Sequence, residues 1–468
     1  MRRRRLLLSP SPARAGRGWT LGVVCASTAL LLLDVTVVNV ALPAIQGDLD
    51  ADFAQLQWVI DAYALTLAVT LLTAGSLADR YGRRLLFASG LTVFIGASAA
   101  CAGAPSATAL DVARAVQGIG AAAMFATSLA LLAEEYRGAD RGRALGVWGA
   151  VSGAALAIGP LVGGALIDGL GWRWIFWLNL PVGAALMVVA LRTLRESRDP
   201  AAGRVDIPGA LAFSTGLFLL VLALVRGNPD GWDSPLVLVG LIGGPLALLA
   251  FVAIELRRTS PMLDVRLFRL RAFTGTAIVA FVQSVALYPM LLFLAIYFQS
   301  ELGYTPFETG LRMLPVTVTL FVAAPISGAL TARVPLRTLL TVGLVLIGVG
   351  MLLMHGLERG DDWTALLPGL LVGGAGVGVI SPALAAAMVG VLPVERSGLS
   401  SGINNTFRQV GIATGIAGLG ALFQHRLPVE GFVARLNEVF LVSGVLALAG
   451  AVVTLLILRA GDFQQGEP

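Results

Sequence analysis

The chain has 468 residues, 57% of them hydrophobic and 13% charged, with a mean hydropathy of +0.84, a balance outside the range of ordinary soluble domains. All 33 basic residues are arginine, since the sequence has no lysine. A Walker-type phosphate loop and Schiff-base chemistry both require one, which excludes a self-contained ATP-driven pump and pyridoxal or retinal chemistry. The formal charge of +5 reads as a topology signal and not as affinity for nucleic acid, because the arginines are spread over short polar breaks.

Residues 1–18 carry six arginines. They read as a cytosolic basic tail and not as a secretory signal, because Leu6–Leu8 is cut short by Ser9, Pro10 and Pro12 before an apolar region can form. Apolar runs of spanning length follow at about 20–42, 55–78, 85–104, 107–132, 144–168, 174–194, 206–225, 235–256, 272–298, 309–331, 338–357, 364–390, 400–423 and 437–458. They are continuous and lack strand alternation, which favours helices over a barrel. The expected fold is therefore an all-α membrane protein with fourteen transmembrane helices.

The first run places Asp34 in hydrocarbon, where a carboxylate costs about 3 kcal/mol. The second places Asp61 and the fourth Arg114 at a similar depth, roughly 10–12 Å from the outer surface. Two acids and one base leave a negative charge to be matched by a proton or by a cationic substrate; a structural ion pair is the competing reading. Between the second and third runs stands GSLADRYGRRLLF, Gly75–Phe87. Asp79, Arg80, Arg83 and Arg84 in so tight a turn mark a membrane surface, and Gly75 and Gly82 allow backbones to approach closely. The fifth run carries Gly153, Gly159, Pro160, Gly163 and Gly164. These suit either close membrane packing or a bendable seam. The ninth offers Gln283, Tyr288, Phe293, Tyr297 and Phe298, of which Gln283, Tyr288 and Tyr297 are candidates to line a substrate cavity, together with Gln117 on the fourth run. Arg408, in the thirteenth, needs either a cavity or a cage of carbonyls. Cys25 and Cys101 lie inside apolar runs, and His355 and His425 are isolated, so no disulfide or metal site is expected.

The sequence echoes itself. GALTARVPLR, Gly328–Arg337, parallels Gly75–Arg84, with Ala332 for Asp79 and Pro335 for Gly82; ERSGLSSG, Glu395–Gly402, parallels DRGRALG, Asp140–Gly146. A six-helix unit used twice, with the seventh and eighth runs inserted, accounts for both. The expected parts are the tail 1–18, a six-helix bundle 19–196, a two-span linker 197–258, a second bundle 259–460 and a tail 461–468. Alternating sides along the chain places 25 arginines on one side and 6 on the other, so both termini are expected in the cytoplasm.

These motifs make the chain resemble the major facilitator superfamily, and within it the fourteen-span drug:proton antiporters (EmrB/QacA-like). The resemblance is carried by Leu33-Asp34 through Pro43, by Gly75–Arg84, by Arg114, Gln117, Gly118 and Gly120, and by Gly153, Gly159, Pro160, Gly163 and Gly164. It departs at Arg84, where lysine is common, and at Asp61, which not every member shares. It implies the major facilitator fold, two six-helix bundles plus two extra central helices, in the cell membrane. It implies export of amphipathic organic compounds in exchange for protons by alternating access. Asp34 with Arg114 would form the proton-linked pair, and Asp79 would latch the halves at the start of span thirteen, near Ser397–Ser401. No enzyme activity, cofactor or nucleotide follows from it. The competing readings are transport of another cargo or in another direction and, further off, a membrane receptor or scaffold, which would not need acids and a base buried at one depth.

Overall fold

The computed structural model describes residues 12–51, 53–198, 206–258, 263–391, 397–425, 431–459 and 461–463; the arginine-rich start of the tail lies outside them. Among the described residues the regular structure is all helical. The first group is α1 (Pro12–Leu49), α2 (Phe53–Tyr81), α3 (Arg83–Ala102), α4 (Ala107–Glu135), α5 (Gly138–Leu170), the single turn α6 (Trp174–Trp177) and α7 (Asn179–Thr193). A hairpin follows, α8 (Ile207–Asp230) and α9 (Pro235–Arg257). The second group is α10 (Arg271–Ile296), α11 (Pro306–Leu330), α12 (Leu336–Met354), α13 (Leu367–Val391), α14 (Ser397–His425) and α15 (Phe432–Ile457).

Helix starts follow from local chemistry. Ser106, Asp206 and Ser234 each cap a helix by accepting a backbone N–H three residues on. Thr305 and Glu308 form a reciprocal capping box before α11, so two otherwise orphaned donors are satisfied at once. Proline stands at the first or second position of α8, α9 and α11, where its missing N–H costs nothing.

Within the first group α4 packs on α2 and α3, and α1 on α5; within the second, α13 packs on α11 and α12, and α14 on α10. The two groups meet where α5 lies along α11 and α2 along α14, and the α8–α9 hairpin rests on α2 and α14. The sequence echo has a structural counterpart. A Cβ on Gly120 of α4 would sit 2.7 Å from the Gly90 carbonyl oxygen on α3, and one on Gly376 of α13 would sit 2.8 Å from that of Gly343 on α12. Arg84 donates to the Leu191 carbonyl late in α7, and Arg337 donates to the Leu455 carbonyl late in α15, both at 2.6 Å. Position for position, Arg84 and Arg337 are the same residue of the two repeats.

Twelve described helical segments are long and apolar enough to cross a membrane, against the fourteen expected from sequence. The difference falls on α5 and α14. Both have the length, 33 and 29 residues. Among the described side chains of α5 the apolar stretch is Leu161–Leu170, although its sequence over 144–167 holds no charged residue; α14 carries Asn404, Asn405, Thr406, Arg408 and Gln409 along its middle. Both lie at the contact between the groups, as α2 and α11 do.

Candidate functional site

Three places on this frame hold most of the residues singled out by sequence. The first is a sealed polar cluster inside the first group. Arg114 on α4 donates from Nη1 to Asp34 Oδ2 on α1 at 2.5 Å and to Gln117 Oε1 at 2.7 Å. Its Nε donates to the Val59 carbonyl at 3.1 Å. Gln117 Nε2 and Asn179 Nδ2 both donate to Asp34 Oδ1 at 2.9 Å, and both also reach Ser98 Oγ. The guanidinium lies 4.2 Å from the Tyr63 ring centre. Asp34 is 5% exposed and Arg114 1%, so both are buried. Arg114 and Gln117 are three apart on one helix and therefore share a face.

Asp61 is not part of this cluster. It is buried on α2 with its Oδ2 lacking a hydrogen-bond partner, and the charges acting on it are Arg226 and Asp111, not Arg114. Arg226 is itself held by Asp230 at 2.7 and 2.8 Å. Similar depth on α1, α2 and α4 did not bring all three charges together, because depth does not fix the direction in which a side chain points.

The second place is the α2–α3 turn. Arg83, 1% exposed, donates to Asp79 at 3.1 Å and to Glu134 at 3.2 Å, while its backbone N–H meets the Ser197 carbonyl at 2.9 Å. Glu196 caps α3 from a distance, its two carboxylate oxygens accepting from the N–H of Arg84 and of Leu85, each at 3.1 Å. Gly82 has φ +122°, and a Cβ there would lie 2.5 Å from the Glu196 carboxyl carbon. Gly75 is buried on α2, and Arg80 stacks 5.3 Å from the Tyr81 ring. The expected partner of Asp79, the start of α14 near Ser397–Ser401, lies largely outside the described side chains. What is described there is close: a Cβ on Gly402 of α14 would sit 2.9 Å from the Leu71 carbonyl of α2. Glu134, Glu196 and Ser197 were missed from sequence; each looks like an ordinary polar residue at a helix end. Gly82→Ala is expected to cost about 1–3 kcal/mol through its positive φ and its collision with the cap. Glu196→Gln is expected to cost about 1 kcal/mol or less. Melting of the two variants in detergent checks the order.

The third place is a central cavity between α1, α4 and α5 on one side and α10, α11, α13 and α14 on the other. Gln283, Tyr288 and Arg408 line it as expected, with Arg408 Nη2 donating to the Tyr288 hydroxyl at 3.0 Å. Trp148, Ser152 and Asn404 line it too and were not anticipated. Two candidates fall outside. Gln117 is spent in the Asp34 cluster. Tyr297 is buried in the π-helical turn Tyr297–Glu301 and stacks on Phe432, with ring centres 6.2 Å apart. The glycines of α5 also divide. A Cβ on Gly163 would lie 3.0 Å from Val37 Cγ1 and one on Gly159 2.7 Å from Thr36 Cβ, both on α1; one on Gly153 would lie 2.9 Å from Leu320 Cγ on α11. Gly164 faces open space, and α5 runs unbroken through Pro160. Gly159 and Gly163 thus meet α1, and Gly153 meets α11.

At the end opposite the α2–α3 turn, Asp48 accepts from Arg173 and from Trp172, the latter at 3.1 Å. The Arg173 bond, then the Trp172 bond, hold the Asp48 carboxyl below its usual range.

The family model described as Major Facilitator Superfamily matches residues 24–416 and, separately, 272–468. The chain belongs to the major facilitator superfamily. It is therefore a multi-pass membrane transporter and not an enzyme. The multidrug resistance protein Stp of Mycobacterium tuberculosis is 37% identical over 84% of this chain and 73% of its own length. The methylenomycin A resistance protein of Streptomyces coelicolor is 38% identical over 83% and 82%. Among solved structures, the human organic anion transporter MFSD10 superposes with a TM-score of 0.69 over 95% of this chain and 99% of its own, at 17% identity. At that identity the likeness shows the fold alone. Relatives named for drug resistance support export of small organic compounds.

Proposed function

We propose that this superfamily member is a proton-coupled exporter of amphipathic organic compounds, working by alternating access in the cell membrane as one of the fourteen-span drug:proton antiporters. On this reading α5 and α14 also cross the bilayer, giving two six-helix bundles, 19–196 and 259–460, with the α8–α9 hairpin between them. The uneven arginine distribution then places both termini and the α2–α3 turn in the cytoplasm.

The observation that carries the reading is the separation of two sites. Asp34 and Arg114 are sealed inside one bundle, while the cavity lies between the bundles and is lined by neither. A proton that reaches Asp34 deletes the charge Arg114 is paired with, so Arg114 must find other acceptors and the packing of α1 on α4 must change. A change within one bundle can bias how the two bundles meet, and so couple proton entry to cargo release. Asp79 and Arg83 would hold the cytoplasmic contact between the bundles while the cavity opens outward.

The test is efflux of a fluorescent drug from cells expressing the chain, repeated with a protonophore, together with proton release in inside-out vesicles on adding the drug. Energy-dependent efflux that stops when the gradient is collapsed is the expected result. Efflux at the same rate without a gradient would sink the coupling.

A further inference from the structure

We propose that the central cavity is built for an anionic aromatic compound, with Arg408, Tyr288 and Asn404 as the residues that bind its negative group. The proposal rests on the export reading above only for the direction of transport; the site itself is argued from the cavity.

The polar groups facing the cavity are unequal. Arg408 is its single charged residue among the described ones, and no carboxylate lines it. Arg408 donates to Tyr288 Oη, so that oxygen acts as acceptor and its own proton is left for another partner; no acceptor for it occurs among the described residues. Asn404 is 5% exposed, lines the same cavity, and its Nδ2 has no hydrogen-bond partner. The Tyr288 proton and Asn404 Nδ2 are therefore without an acceptor, and the half-buried Arg408 has only the Tyr288 oxygen and no counter-charge among the described lining residues. Donors left unmatched away from water are costly, and a guanidinium without a counter-charge more so. A carboxylate, sulfonate or phenolate supplies the missing acceptors and the missing charge together. Trp148 and Tyr288 supply aromatic surface to the lining, suited to an aromatic body, which the cavity of about 80 Å³ takes in as the two groups part. Asp61, which would have favoured cations had it faced the cavity, does not line it.

The consequence for energetics has a definite sign. Sending a monoanion out for each proton taken in carries two positive charges inward per cycle, so membrane voltage drives the exchange as well as the pH difference. Exchange of a monovalent cation for a proton would carry none.

The test uses the purified full chain in neutral detergent, with equilibrium dialysis against three probes and empty micelles subtracted. The probes are anilinonaphthalene sulfonate, phenylnaphthylamine (the same ring system without the sulfonate) and the cation ethidium. The wild type is expected to bind the sulfonate at least ten-fold tighter than the other two. Arg408→Gln should remove that preference while leaving phenylnaphthylamine unchanged, Arg408→Lys should keep part of it, and Tyr288→Phe should weaken the sulfonate two- to three-fold. Equal binding of the sulfonate and its neutral analogue, a preference for ethidium, binding of none of the three, or a preference that survives Arg408→Gln overturns the proposal. If Arg408→Gln fails to fold, the wild-type comparison still decides. Dialysis needs no gradient, so anion preference without energy-dependent efflux would sink the export reading and leave this one. Gradient-driven efflux of ethidium without anion binding would do the reverse.

Discussion

Asp34→Asn is expected to abolish gradient-driven efflux, to below a hundredth of the wild-type rate, while the protein still reaches the membrane. The carboxamide keeps the volume of the side chain and one oxygen acceptor, so Gln117, Asn179 and Arg114 lose only part of their bonding. What it cannot do is take up and release a proton. Stability separates this role from a merely structural one. Asp34→Ala leaves a guanidinium buried without its counter-charge, and Arg114→Ala leaves a buried carboxylate; each is expected to cost about 3–5 kcal/mol. The double variant Asp34→Ala/Arg114→Ala removes both charges and should recover much of that loss without recovering any efflux. Melting in detergent and efflux of the same four variants check this. Efflux by Asp34→Asn at half the wild-type rate or more, at equal membrane abundance, would reduce the pair to a packing element.

How much of this was legible in the sequence depended on whether one dimension was enough. Helices of membrane length and the pairing of Asp34 with Arg114 were readable because hydrocarbon leaves a charge few options: it must find its opposite on another helix. The repeat was readable because it is written in register, Arg84 against Arg337, each reaching the last turns of a neighbouring helix. Direction around a helix was not readable. Tyr288 and Tyr297 are nine residues apart, about two and a half turns, so they face opposite ways, and only the first meets the cavity. Asp61 has the depth of Arg114 but not its azimuth. Ser98 and Asn179, which complete the Asp34 cluster, carry no charge and look like any polar residue in an apolar run. The span count differs at two helices, α5 and α14; of these α14 is the polar one, with Asn404, Asn405, Arg408 and Gln409 on a helix that lies along α2 at the contact between the two groups, which lipid need not reach.

That same contact yields the second large effect: Gly328→Val should leave the chain folded and its efflux below a tenth of normal. A Cβ on Gly328 of α11 would lie 2.9 Å from Gly146 Cα and 3.2 Å from Gly146 N, and one on Gly146 of α5 would lie 2.9 Å from the Ala324 carbonyl oxygen. These are backbone atoms and cannot turn aside as a flexible side chain can, so a valine must push the two helices apart. Gly146 sits near the start of α5, at the end of the bundle that carries the α2–α3 turn, which Arg83 ties to Glu134. The wedge therefore acts where the two groups close over the cavity, and not inside either group, where packing is left intact. A transporter that cannot close this end binds cargo from one side and never hands it across. Ser152→Cys, introduced at the cavity wall, supplies the readout. In inside-out vesicles a membrane-impermeant maleimide should label it faster in the Gly328→Val background than in the wild type. Gly169→Val, on the same α5 with nothing within 4 Å of its added Cβ, should change neither labelling nor efflux. Unchanged labelling with efflux retained in Gly328→Val would mean that the two helices need not touch for the cycle to run.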